Sequence, residues 1–397
     1  MGSEWSAVPL GEVASVRSGY AFKSRDWADS GVPVVKIANV KAGRLDLNGC
    51  SFVTEEIAEN AGEFNLELDD IVIAMTGYIG ETARVQSTDL PCVLNQRVGK
   101  FKVMDSNRLD PDYLYAFLSW KSTRERIEAL GYGSAQPNVS PKLIHQVEIP
   151  LPPMPKQQAI AEVLGSLDDK IELNRRMNRT LESMAECIYA DTFADTTAWE
   201  TKRLDDLTTV SIGRTPPRKE PQWFSNDEAD VPWVSIRDMG KAGMYIVETS
   251  ERLTRDAIDK FNVRIIPRGT VIVSFKLTVG RVALAGFDLA TNEAIAHLPL
   301  DEDSGLCVEY LYFALKRFPY NTLASTSSIA TAVNSSTIRA IQISVPPVEL
   351  VRQFQATVSP IFQMIDRTIE QSRTLEELRD SLLPRMISGE LSIGRGA

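Results

Sequence analysis

The stretch EIPLPPMPKQQAI, residues 148–160, starts as an extended segment, meets two prolines and continues as a helix. QISVPPVELVRQF, residues 342–354, makes the same junction again. Proline fixes its own φ and disfavours a helical residue before it. Pro152–Pro153 and Pro346–Pro347 therefore end a strand and pre-set the chain for a helix. Beyond each pair the apolar period lengthens from 2 to about 3.5 residues. Ile160, Leu164, Leu167, Ile171, Leu181, Ala185 and Ile188 recur at three and four once Asn174 and Asn178 fill the gap. A shift of 194 gives Phe354, Val358, Ile361, Ile365, Thr368, Ser372, Leu375 and Leu382. Such a stripe serves either a helix lying on its own domain or a helix-to-helix seam, and polar outer faces over several heptads favour the seam. One helix leaves the first half of the chain and the other must return, so they are expected to pair antiparallel. Asn174 and Asn178 then face Thr368 and Ser372, a polar layer that fixes register. Residues 160–188 span roughly 43 Å as a helix.

The junction occurs twice because the chain repeats, which is the first property to test in any sequence. Trp5/Trp199, Leu10/Leu204 and Gly19/Gly213 coincide. GVPVVKI (31–37) answers DVPWVSI (230–236), and KAG recurs at 41–43 and 241–243. IVIAMTGYIGETA (71–83) parallels VIVSFKLTVGRVA (271–283), with Gly80 over Gly280, and YLYAFL (113–118) parallels YLYFAL (310–315). Each half opens with β-like runs, Val32–Ile37 and Ile71–Met75, then Val231–Ile236 and Val271–Phe275, separated by Gly, Pro and charged clusters. A helix-like piece follows (111–130, 308–323), then a Ser/Asn/Gln-rich loop, one last strand and the proline pair. The fold class expected is α+β: two duplicated α/β globules joined by two long helices that pair as an antiparallel coiled coil. The corresponding segments are 1–155, a spacer helix over 156–198, 199–348, and a second spacer helix with tail over 349–397.

Length and composition agree with two soluble globular units: 397 residues, 43% hydrophobic and 24% charged. No apolar run reaches the ~20 residues of a membrane helix, and the start lacks a signal-peptide core. Cys50, Cys92, Cys187 and Cys307 are scattered without a C-x-x-C pair, as in a reduced cytoplasmic protein. The net charge of −10 counts against a free-standing nucleic-acid binder. It is uneven, however: residues 1–155 carry 15 Lys+Arg against 20 Asp+Glu, whereas 202–281 carry 14 against 11. A local basic face is compatible with an acidic total.

Catalytic patterns are missing. His145 and His297 stand at non-equivalent places in the repeat, with no Cys or carboxylate at ligand spacing. There is no phosphate-binding G-x-x-x-x-G-K-[ST] and no G-x-S-x-G. ELDDIVIAM offers Asp69 and Asp70 as a carboxylate pair, but the matching RGTVIVSF replaces both, which a duplicated active site would not do.

Two loops carry side chains suited to DNA. The first follows the opening strand: Arg17, Tyr20, Lys23 and Arg25 in RSGYAFKSR answer Arg214, Thr215, Arg218 and Lys219 in GRTPPRKE. Basic side chains neutralise phosphates or read guanine, and the aromatic Tyr20 and Phe22 suit sugars and thymine methyls. The competing reading is an ordinary solvated loop. The second holds Gln136 and Asn138 in one half and Ser327 and Ser328 in the other; Asn and Gln suit adenine, although all are also common turn formers. Asn95 and Asn292 form a third, weaker pair. Framework landmarks repeat while loop side chains differ, so two copies of one scaffold would read two short sequences.

At this point the chain resembles, over essentially its whole length, the specificity subunits of Type I restriction–modification systems. The resemblance rests on the paired strand–proline–glutamine–helix junctions and on the tail LRDSLLPRMISGEL (378–391). The second junction departs slightly, since Gln157–Gln158 is answered by Arg352–Gln353, one residue out of register. The resemblance implies a non-catalytic reader of double-stranded DNA, each domain recognising half of a bipartite target while the helices set the gap. It implies two modification subunits, which bind S-adenosylmethionine and methylate adenine, and restriction subunits that use ATP and Mg. No cofactor is implied on this chain. A protein–protein scaffold and an enzyme with an unrecognised site remain as alternatives. The first predicts no salt-dependent DNA affinity; the second predicts point mutations that abolish turnover in the isolated chain.

Overall fold

The computed structural model describes residues 5–41, 43–131, 138–301, 304–323 and 334–391. Contacts divide the chain into two units, residues 1–173 with 372–397, and residues 174–371. Each is α+β.

The first unit closes on itself. Its opening strand, Ala7–Pro9, pairs antiparallel with Glu148–Pro150, the strand that ends at the proline pair. A four-stranded antiparallel sheet follows in the order Ala14–Ser18, Val98–Val103, Ile71–Ala74, Thr82–Arg84. A smaller mixed sheet contains Val93–Leu94, Val32–Val35, Ser51–Val53 and Trp27–Ala28, with Val93–Leu94 parallel to Val34–Val35. The expected helix over 111–130 is two helices, Pro111–Ser119 and Lys121–Ala129, because Trp120 between them is extended. Asp110 caps the first through the amides of Asp112 and Tyr113, and proline occupies its first turn. Its buried face, Tyr113, Leu114 and Phe117, covers Val16, Ile73 and Phe101 of the main sheet.

The second unit repeats this plan. Glu200–Arg203 pairs with Gln342–Val345, and the main sheet runs Ser211–Ile212, Ile295–Leu298, Val271–Ser274, Val282–Ala285, with an added parallel strand, Tyr245–Ile246. A smaller sheet of Phe224–Ser225, Glu251–Leu253, Val231–Val234 and Ala290–Thr291 again holds one parallel pair. The run expected over Val231–Ile236 stops at Val234, because Ser235 caps a helical turn through Asp238.

One hydrogen bond shows how closely the plan is copied. Tyr113 Oη donates to the Pro150 carbonyl at 2.9 Å, and Tyr310 Oη donates to the Ser344 carbonyl at 2.6 Å. Both tyrosines thus tie the covering helix to the strand that feeds the proline junction.

The long helices are Met154–Thr192 and Val348–Ile387. Their starts differ by 194 residues, so the departure at the second junction does not shift the helix. At that offset Gln157 matches Val351, not Arg352 or Gln353. Gln157 is 1% exposed. Its Nε2 donates to the carbonyls of Arg108 and Pro152, and its Oε1 accepts from the Asp110 amide. Val351 joins the apolar core instead, and Arg352 and Gln353 are exposed.

The two helices run antiparallel within each unit. In the first, Ile160 and Leu164 lie in one core with Leu383, Met386 and Ile387, and Asp168 accepts from Arg379 at 2.8 Å. In the second, Ala185 shares the core with Phe354, Val358 and Ile365, while Leu181 and Ile361 are half-buried against it. Asn174 Nδ2 donates to Gln371 Oε1 at 3.0 Å and to the Thr368 carbonyl at 3.4 Å, and the Thr368 hydroxyl donates to Asn178. Gln371, exposed and off the apolar stripe, is thus a partner that periodicity did not name. Ile171 is buried, whereas Leu167, Ser372 and Leu375 are half-buried.

Candidate nucleic-acid interface

Strand register brings the candidate loops of each unit to one end of its main sheet. In the first unit, Ala74 lies opposite Val98 and Ser18 opposite Gly99. The chain therefore leaves or enters the sheet at that end through segments 19–25, 75–80 and 95–97. Tyr20 bridges Asn95, and Asn138 bridges Thr76, whose hydroxyl donates to Asn138 Oδ1 at 2.8 Å. Tyr20, Asn95 and Asn138 are thus gathered together. In the second unit, Ser274 opposes Ile295 and Ile212 opposes Ala296, which brings segments 213–219, 275–280 and 292–294 to the same end. Gln136, Ser327 and Ser328 lie outside the described residues.

Two framework residues make this convergence possible. A Cβ on Gly19 would lie 2.5 Å from the Leu94 carbonyl oxygen, and one on Gly213 would be closer still to the Thr291 carbonyl. Only glycine lets the first loop cross directly over the third. Asn95 and Asn292 then build that third loop identically: each amide donates to Val35 or Val234, and each Oδ1 accepts from the amide two residues on. Their shared identity is explained by this turn, with the carboxamide oxygen engaged by backbone in both copies.

The first loop packs on the smaller sheet, where the halves diverge. In the first unit Tyr20, Phe22 and Trp27 form a chain of rings at 4.9 and 5.6 Å, and Lys36 Nζ sits 3.9 Å over Trp27. The relevant Tyr20 contact is this ring cluster beside the core of Val34, Val53 and Val93. Arg17 is not in this loop: it lies on the strand Ala14–Ser18 opposite Lys100, exposed and paired to Glu63 at 3.0 Å, whereas Lys23 is exposed and Arg25 is exposed with Asp26 at 3.9 Å. In the second unit Arg218 lies over Phe224 and Trp233 at 4.3 and 4.7 Å and pairs with Glu251 at 2.7 Å. Arg214 Nη1 donates to the Phe261 carbonyl at 2.9 Å, Thr215 donates to Glu293, and Lys219 is exposed. Lys260 adds a cation 4.3 Å over Trp223. Each unit therefore carries an aromatic patch topped by cations, built from different residues. Lys36 and Lys260 escaped sequence reasoning, because a cation stacked on a ring of a different element leaves no local pattern.

The remaining polar candidates are engaged in structure. His145 Nε2 accepts from the Val16 amide at 3.0 Å. His297 lies between Thr291 Oγ1 at 2.6 Å and Ser211 Oγ at 3.2 Å, and burial pushes its pKa down to about 4. Asp70 accepts from Lys100 at 2.5 Å and from the Glu67 amide. Burial pushes the Cys92 and Cys307 thiols up to about 12. Among the described residues, no group of three or more His, Cys, Asp or Glu side chains is placed to hold a metal ion. No helix there is long and apolar enough to cross a membrane.

The family model described as the Type I restriction modification DNA specificity domain matches twice, over residues 2–183 and 197–379. The chain belongs to that family. It is 26% identical over 331 residues to the specificity subunit of the Type I restriction enzyme MjaIX of Methanocaldococcus jannaschii, covering 76% of this chain and 74% of the relative. It is 26% identical over 377 residues to the HindI specificity subunit of Haemophilus influenzae, covering 74% and 80%. The crystal structure of a Type I restriction–modification S subunit from M. genitalium superposes with a TM-score of 0.51 at 17% identity, over 97% of this chain and 96% of that one. At that identity the likeness concerns the fold, and it extends over both specificity domains and both long helices.

Proposed function

We propose that this chain is the non-catalytic, DNA-reading subunit of a Type I restriction–modification assembly. Each unit reads one half of a bipartite duplex target, and the long helices fix the interval between halves and dock modification subunits. The observation that carries this reading is one framework presenting two different sets of side chains at the same sheet end. Gly19/Gly213, Asn95/Asn292 and Tyr113/Tyr310 hold the scaffold constant, while Tyr20, Phe22 and Lys36 in one copy give way to Arg214, Arg218 and Lys260 in the other. Two unlike readers on one chain suit a target of two unlike halves. In this reading methyl transfer with S-adenosylmethionine belongs to two modification subunits. ATP- and Mg-dependent steps belong to restriction subunits, and the assembly works in the cytoplasm.

The acidic total charge leaves part of the phosphate grip to those partners. The test is duplex affinity of the chain assembled with its modification partner, measured as salt rises. A reader contacting several phosphates loses about 10³-fold or more between 50 and 200 mM salt. A protein–protein scaffold shows no such affinity at any salt.

A further inference from the structure

The two units share a hairpin tip that is occupied in opposite ways. In the first, the Tyr78 amide donates to the Thr76 carbonyl at 2.9 Å, closing a three-residue turn around Gly77, whose φ is 73°. In the second, the Thr278 amide donates to the Lys276 carbonyl at 2.7 Å around Leu277, with φ of 63°. The flanking framework is the same: Gly80 and Gly280 return their amides to Ala74 and Ser274. A turn with positive φ at its centre is the strained member of its class and belongs to glycine. The second unit instead places a leucine there, in a backbone conformation that L side chains rarely adopt.

Packing does not account for the leucine. Leu277 is 92% exposed, the most exposed large hydrophobic side chain among the described residues, and Val279 beside it is also exposed. The tip is held rigidly from below: Phe275 is buried and its amide donates to the Ala294 carbonyl, while Ser274 Oγ donates to the Thr278 carbonyl. A strained apolar residue, fixed on a stiff hairpin and withheld from the core, is what a contact surface requires. The tip emerges at the sheet end where segments 213–219 and 292–294 also emerge, with Lys276 exposed next to it.

We infer that Leu277 is a base-contacting residue of the second unit, packing its side chain on base edges or between base planes in a groove while Lys276 meets the adjacent phosphate. Apolar side chains contribute to sequence reading through thymine methyls and through wedging at deformable steps, neither of which needs a hydrogen bond. The inference rests on the DNA-reading function proposed above. It adds a specificity determinant that only one half of the target experiences, since the first unit has Gly77 in this place.

The test uses the full chain with its modification partner, Leu277→Gly against wild type, on the bipartite duplex wild type selects and on an unrelated duplex. Glycine suits the turn, so the variant keeps or slightly raises its thermal midpoint, which separates the readout from misfolding. The expected result is about tenfold weaker binding to the selected duplex, unchanged binding to the unrelated one, and relaxed preference at adjacent positions of one half only. Equal affinities on the selected duplex overturn the inference, and so does an equal fall on both duplexes, the mark of a backbone contact. Wild type showing no salt-dependent duplex binding overturns the functional reading itself, and this inference with it.

Discussion

Tyr113 and Tyr310 hold equivalent places in the repeat and donate to equivalent carbonyls, although the Tyr310 hydroxyl also meets that of Tyr189. Either Tyr→Phe change leaves a carbonyl of the last strand without its donor at a buried site. About 1–2 kcal/mol of stability is expected to be lost in each case, measured by urea unfolding. His297 adds a pH signature peculiar to the second unit. Its folded pKa is about 4, below an ordinary value of 6.5, because burial disfavours the charged ring. The unfolded chain therefore binds more protons between these values, and stability falls as pH drops through that window and levels off below it. The full effect is about 3 kcal/mol. Thermal melts from pH 7 to pH 4.5 should show a steeper decline in wild type than in His297→Gln. Equal slopes would mean that the histidine is not the group responsible.

The long helices show which parts of an element can be read from sequence. Spacing at three and four located both, and the offset of 194 carried through to their first residues. Their partners were less accessible. Gln371 meets Asn174 from a position outside the apolar stripe, where periodicity has nothing to report. The junction itself was legible through its prolines, but the role of its glutamine was not. Gln157 satisfies three backbone groups that come together only in the folded unit, whereas the second unit uses Val351 to fill the same space. Gln157→Val should therefore not reproduce the second copy's solution. The part-buried Asp110 amide and two carbonyls lose their partner, and about 2 kcal/mol is expected to be lost by chemical denaturation. A neutral outcome would show that those groups find other partners. In the smaller sheets only the central runs, Val32–Val35 and Val231–Val234, were legible; their partner strands, two or three residues long, give too little alternation to recognise.

Across the whole chain, the duplication was plain because framework residues with strict steric duties stay put. Gly19 and Gly213 permit a crossing, Gly80 and Gly280 adopt positive φ, and the tyrosines tie helix to strand. The recognition surface was harder to see for the complementary reason. Its residues must differ between copies, so no internal comparison marks them except by mismatch, and Gly77 against Leu277 is one such mismatch inside an otherwise matched segment. Several candidates, Arg17 and Arg218 among them, sit in ion pairs with Glu63 and Glu251 that DNA phosphates would have to displace. Exposed pairs of this kind are weak enough for that exchange.

The proposed function has two unlike readers acting on two unlike half-targets. It is tested most directly by mapping adenine methylation genome-wide in cells carrying the modification partner with this chain, without it, or with residues 200–348 exchanged for another such domain. The expected map shows a split motif that vanishes without the chain and changes in one half only after the exchange. A map that is indifferent to the chain, or an exchange that rewrites both halves, would contradict it.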